Sequence, residues 1–118
     1  MVLLHAPPHL DGHYAPQPEC GFRQGEPEFL DVIRRHRVDL VCCAHGLGYD
    51  HRVHDGVRFV MSGGGGAALY QSYRNAGRDR GALFHAVEIT LTETGAARGR
   101  VLQAFAPPGS PPPFTFGD

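Results

Sequence analysis

Histidine is the residue type here with the most chemistry available to it: there are eight in 118 residues, at His5, His9, His13, His36, His45, His51, His54 and His85. A neutral imidazole ligates borderline divalent cations, and its ordinary pKa lets it move protons near neutrality. Spacing singles out two of them. His5 directly follows the apolar run Val2-Leu3-Leu4, and His45 follows Val41-Cys42-Cys43-Ala44. Each ring should therefore emerge where a strand ends and a loop begins, the edge at which open α/β sheets collect their ligands. His9 and His13 fall in a loop, whereas His36, His54 and His85, taken singly, read as solvated surface residues. The cysteines, Cys20 and the adjacent Cys42 and Cys43, read as free thiols, because neighbours on a strand point to opposite faces and three cannot form a paired framework.

The elements that must position these rings follow from composition and periodicity. Residues 6 to 28 are rich in Pro, His, Gly and acidic residues, which is loop chemistry. Pro27, flanked by Glu26 and Glu28, predicts a helix start; Phe29, Leu30, Val32 and Ile33 supply an apolar face, and Arg34-Arg35-His36-Arg37 a basic finish that suits the helix dipole. Val38 to Cys43 and Val57 to Met61 have strand length, the second entered through the turn Asp55-Gly56. The run Gly63-Gly64-Gly65-Gly66 serves a tight backbone path, with Ala67 to Ala76 able to form a short helix after it. Ala82 to Thr92 and Val101 to Ala106 pair as a hairpin across Glu93 to Gly99, and the sheet should end there. Residues 107 to 118, with five prolines, are expected to be an extended and poorly tied tail beyond a domain spanning 1 to 106.

The bulk properties exclude several classes. A net charge of -1 offers no field for a phosphate backbone or an anionic membrane surface, so neither nucleic acid nor membrane is an expected partner. Met1-Val2-Leu3-Leu4 is no signal peptide and no stretch has membrane-span length, so the expected compartment is the cytoplasm. The chain runs from Met1 straight into a strand-like segment without a turn or cap, and upstream sequence is expected to be missing.

These segments, in this order, resemble a known family. His5-Ala6-Pro7-Pro8, a His-bearing loop, an amphipathic helix, then Arg37-Val38-Asp39-Leu40-Val41-Cys42-Cys43-Ala44-His45, Tyr49, and Gly56-Val57-Arg58-Phe59-Val60-Met61-Ser62-Gly63-Gly64-Gly65-Gly66-Ala67 look like the C-terminal part of the calcineurin-like metallophosphoesterases, nearest the purple acid phosphatase branch. The resemblance implies the C-terminal half of a β-sandwich flanked by helices, with a mixed sheet. It implies a phosphoester substrate and divalent metal ions (Zn, Mn or Fe), which would activate water for attack on phosphorus. By motif, His5 matches the family's strand-end metal ligand, and His45 matches the first His of Gly-His-x-His on the same metal. His13, in the loop after His5, matches the His that protonates the leaving group, with a solvated loop residue as the other reading.

The departures define the alternatives. The motif's Gly is Ala44 and its second His falls on Leu47, which cannot ligate. The upstream Asp-x-His, Gly-Asp-x-x-Asp and Gly-Asn-His-Asp/Glu blocks have no counterpart. His51, after Asp50 where the family often has Glu-Arg, could in principle stand in for the ligand lost at Leu47. The resemblance therefore implies an incomplete hydrolase, the alternative being a degenerate non-catalytic domain or interaction module. Gly63-x-Gly65-x-x-Ala68 also satisfies a dinucleotide fingerprint, which keeps a Rossmann-like module as a distant alternative. Uncovered strands in the isolated chain should promote self-association through an open sheet edge.

Overall fold

The computed structural model describes residues 1–10, 21–70 and 80–117. Its elements, in chain order, are β1 (Val2–Leu3), α1 (Glu26–Arg35), β2 (Leu40–Cys43), β3 (Tyr49–His54), β4 (Val57–Ser62), β5 (Arg80–Gly81), β6 (His85–Leu91), β7 (Ala97–Gln103) and β8 (Thr115–Phe116). They form one mixed five-stranded sheet, ordered β1-β2-β4-β3-β5, and one antiparallel sheet, ordered β6-β7-β8. The chain is therefore α/β, rich in strands and with a single helix among the described residues. No helix among those residues is long and apolar enough to cross a membrane.

The central strands are apolar on both faces because both are covered. Val41, Cys43, Val57, Phe59 and Met61 pack with Ile33 and with Phe29 and Leu30 of α1. Leu40 and Val60 point the other way and meet Val101 and Phe116 of the second sheet. The result is three layers, helix on mixed sheet on antiparallel sheet, and it explains why β2 and β4 read as continuous apolar runs rather than alternating ones. The helix keeps its expected acidic start and basic finish, and it follows Gly25 at φ 79. Val32 leaves the apolar face and is 43% exposed.

β1, β2 and β4 run parallel, while β3 is antiparallel to β4. The β3–β4 turn has positive φ at both central residues, Asp55 (49°) and Gly56 (77°), the geometry that Asp-Gly favours in tight hairpins. Strand β3 is an addition to the sequence reading. Its residues Tyr49-Asp50-His51-Arg52-Val53-His54 carry too much charge to look like a buried strand, yet Tyr49 and Asp50 are fully buried.

Two further boundaries differ from expectation. The β6–β7 hairpin turns earlier, with Thr92 and Ala96 joined by the Thr92 N–H on the Ala96 carbonyl at 2.9 Å, so β7 starts at Ala97 and not at Val101. Its first half, Ala97-Arg98-Gly99-Arg100, lacks the apolar alternation that marks a strand. The C-terminal stretch is not a loose tail along its whole length, because Thr115 and Phe116 pair with Arg100 and Gly99 and extend the second sheet. The prolines occupy only the exposed crossing before that strand, where no ladder donor is needed.

Candidate functional site

The carboxyl ends of β1, β2 and β4 lie side by side, since Leu3 is level with Cys42 and Cys43 with Met61. The chain leaves β2 through a three-residue turn in which the Gly46 N–H reaches the Ala44 carbonyl at 2.7 Å and His45 adopts φ 63. A left-handed conformation at a residue with a side chain costs about 1–2 kcal/mol, and such strain concentrates at sites of use. Gly46 follows because a Cβ there would stand 2.2 Å from the Met61 sulfur. The Ala44 N–H donates to the His5 carbonyl at 2.9 Å, which ties the two strand ends together.

This arrangement brings His5 and His45 into contact. Nε2 of His5 lies 2.8 Å from Nδ1 of His45, with the rings nearly perpendicular at 88°. One nitrogen donates and the other accepts, so the pair shares one proton. Both rings are exposed and, with Ala6, Phe22 and Arg23, they line an open cavity of about 480 Å³. Two imidazole nitrogens on one cation, each at about 2.0–2.1 Å and at angles of roughly 90–110°, stand roughly 2.9–3.4 Å apart. The observed separation is close to that range, and a cation would take the place of the shared proton. Among the described residues no group of three or more His, Cys, Asp or Glu side chains is arranged to hold a metal ion.

The other histidines take different places. His13 lies outside the described residues. His9 is structural: its Nε2 is 2.8 Å from the Phe22 carbonyl, and the Gly21 backbone approaches so closely that a Cβ there would stand 2.4 Å from the ring. Glu26, at the start of α1, accepts from the His9 and Leu10 N–H groups at 2.8 and 2.9 Å, a clamp that nothing in the sequence pattern announced. His51 does not approach the imidazole pair. It sits level with Val60, opposite β4 from Cys42, where Arg58 donates to its Nε2 at 2.8 Å and its ring stacks on Phe116. It therefore does not replace the ligand lost at Leu47.

The expectation of a solvated His85 is overturned. Only 7% of it is exposed, its Nδ1 lies 2.8 Å from the Leu83 carbonyl, and its Nε2 lies 3.0 Å from the Ser62 hydroxyl. Burial pushes its pKa down, against the smaller pull of the Leu83 carbonyl. The fully buried Asp50 carboxylate takes hydrogen bonds from Arg52 at 3.2 Å and Arg80 at 2.6 Å, which anchors β5. Burial nevertheless raises its pKa, with Arg80 and Arg52 opposing. Cys42 and Cys43 form no disulfide among the described residues, and burial pushes the Cys42 thiol up, away from thiolate reactivity. Contact explains the first half of the glycine run: a Cβ on Gly63 would lie 1.9 Å from the Gly46 carbonyl oxygen, and one on Gly64 2.2 Å from His85 Nδ1, whereas Gly66 is set by its φ of 143.

Comparison with protein-family models, with curated proteins and with solved structures finds no match to this chain.

Proposed function

We propose that this domain is the C-terminal part of a metal-dependent phosphoester hydrolase of the calcineurin-like metallophosphoesterase type, in which His5 and His45 hold one divalent cation, Zn, Mn or Fe. The observation that carries this reading is the convergence of two strand-end imidazoles, 40 residues apart in sequence, to 2.8 Å at the carboxyl edge of parallel strands. A cation held there would supply Lewis-acid stabilisation of phosphoryl oxygens and an acidified water. The protein's own part is positional. The His45 turn and the Ala44–His5 backbone bond set the angle between the rings, and binding requires both nitrogens to present lone pairs, so it must expel the proton they share. Leu47 and the lack of a third ligand among the described residues make the isolated chain a partial site, with the remaining ligands coming from another segment or polypeptide.

Calorimetric titration of Zn or Mn into the purified chain is expected to show one weak site, lost in His45→Ala and in His5→Ala and weakening as pH falls. Turnover of p-nitrophenyl phosphate should be undetectable. Two tight sites, or a site that survives both substitutions, would overturn the assignment.

A further inference from the structure

Strand β4 ends on Ser62, whose side chain shares the Val60 face and so points to the second sheet, away from Met61 and the helix layer. There it meets His85, the first residue of β6, with 3.0 Å between the Ser62 Oγ and His85 Nε2. The other ring nitrogen faces the Leu83 carbonyl at 2.8 Å. A carbonyl only accepts, so Nδ1 carries the proton and Nε2 is left with its lone pair toward the hydroxyl. This is the tautomer a general base needs. The ring is also held mechanically: Tyr49 packs against it edge-on with centroids 5.7 Å apart, and the bare backbone of Gly64 lies where any side chain would collide with Nδ1.

On the His85 side of the pair is an open cavity of about 520 Å³, lined by His85, by the side-chain-free backbone of Gly64 to Gly66, and by Phe84, Leu102 and Phe105. Phe105 is 95% exposed and held at φ 62, which places a large apolar ring on the rim of that cavity. Ser62 itself is half-buried.

We infer that Ser62 and His85 form a nucleophile–base pair that cleaves carboxylic esters with an apolar acyl chain, the chain lying against Phe84, Leu102 and Phe105. In the first step Ser62 Oγ bonds to the ester carbonyl carbon while its proton passes to His85 Nε2. The tetrahedral adduct then collapses, the carbon–oxygen bond to the alcohol breaks, and the alcohol leaves with that proton. Water repeats the sequence on the acyl-serine, giving up a proton to His85, and the carboxylic acid departs as the serine hydroxyl is restored. No metal takes part, and the inference does not rest on His5 and His45. Burial lowers the His85 pKa, which favours the neutral ring that a base must start from.

The test is p-nitrophenyl butyrate hydrolysis in the presence of EDTA, with a fluorophosphonate probe and mass spectrometry to locate the label. The expected result is turnover together with covalent labelling at Ser62. Ser62→Ala should abolish both, and His85→Ala should lower turnover roughly 10²–10⁴-fold, with partial rescue by free imidazole. Because His85→Ala opens a buried space, Ser62→Cys serves as a second variant of nearly the same volume. Alkylation at position 62 by iodoacetamide at pH 7 should then be faster with His85 present than in the His85→Gln background. Folded wild-type chain that takes no label at Ser62, turnover unchanged in Ser62→Ala, or alkylation at position 62 indifferent to His85 would each overturn the inference.

Discussion

Phe116 and Phe105 are the same side chain eleven residues apart, and the structure assigns them opposite weights. Phe116 is 3% exposed, stacks on His51 with centroids 5.6 Å apart, and receives the Arg58 guanidinium 5.4 Å from its centroid. Gly99 is matched to it, since a Cβ there would stand 2.1 Å from the ring. Truncating a buried Phe to Ala costs about 3–5 kcal/mol, and losing a half-exposed cation–π contact adds about 0.5–1 kcal/mol. Against a total stability of about 5–15 kcal/mol, Phe116→Ala should remove roughly a quarter of the margin or more. For a domain of this size that is a fall in Tm of roughly 15–25 °C. Phe105→Ala, at 95% exposure, should stay within about 0.5 kcal/mol of wild type. Phe105→Gly should be neutral or stabilising, because the residue it replaces sits at φ 62. Thermal unfolding by circular dichroism measures all three. If Phe116→Ala melts within a degree or two of wild type, the C-terminal strand is not part of the folded unit and the expectation of a loose tail stands.

Gly63→Ala should destabilise by more than about 1–3 kcal/mol, because its Cβ meets backbone at Gly46, whereas Gly65→Ala meets nothing within 4 Å and should be neutral; chemical denaturation separates the two. His85 has a folded-state pKa below its ordinary value of 6.5, so the unfolded chain takes up the proton first and stability should fall as pH drops below about 6.5. That decline should be shallower in His85→Gln, and an unchanged pH profile would show that His85 does not contribute it. β1 pairs on one side only among the described residues, and Leu3 on it is 70% exposed, so Leu3→Lys should reduce self-association in sedimentation velocity.

Legibility in the sequence followed local apolar content. Helix α1, β2 and β4 are packed from both sides or amphipathic at the right period, and Asp55-Gly56 names its own turn, so these elements are readable to within two residues, β2 beginning at Leu40 and not at Val38. β3 is not, because the Asp50 it buries is neutralised by Arg80, 30 residues away. β8 is hidden by the prolines before it. That His5 and His45 each stand at a strand end was readable because two apolar runs each ended on a histidine, whereas their closeness was implied only by the family resemblance and depends on β1 and β2 pairing in parallel. The Ser62–His85 contact depends on the second sheet packing over the first, and nothing in either segment signals that packing. The role of His9 likewise depends on where Phe22 and Glu26 lie, and a loop sequence does not encode that by pattern.

The clamp formed by Glu26 and His9 bears on how this protein can diverge. Glu26 grips the backbone of His9 and Leu10, and His9 in turn grips Phe22, so the two chain ends that bracket residues 11–20 are already fixed to one another. The entropy of bringing those ends together is met by contacts outside the bracketed segment, and lengthening a closed loop twofold costs only about 0.6 kcal/mol. Length and composition there can therefore drift across related sequences while His5, four residues before the clamp, keeps its place beside β2.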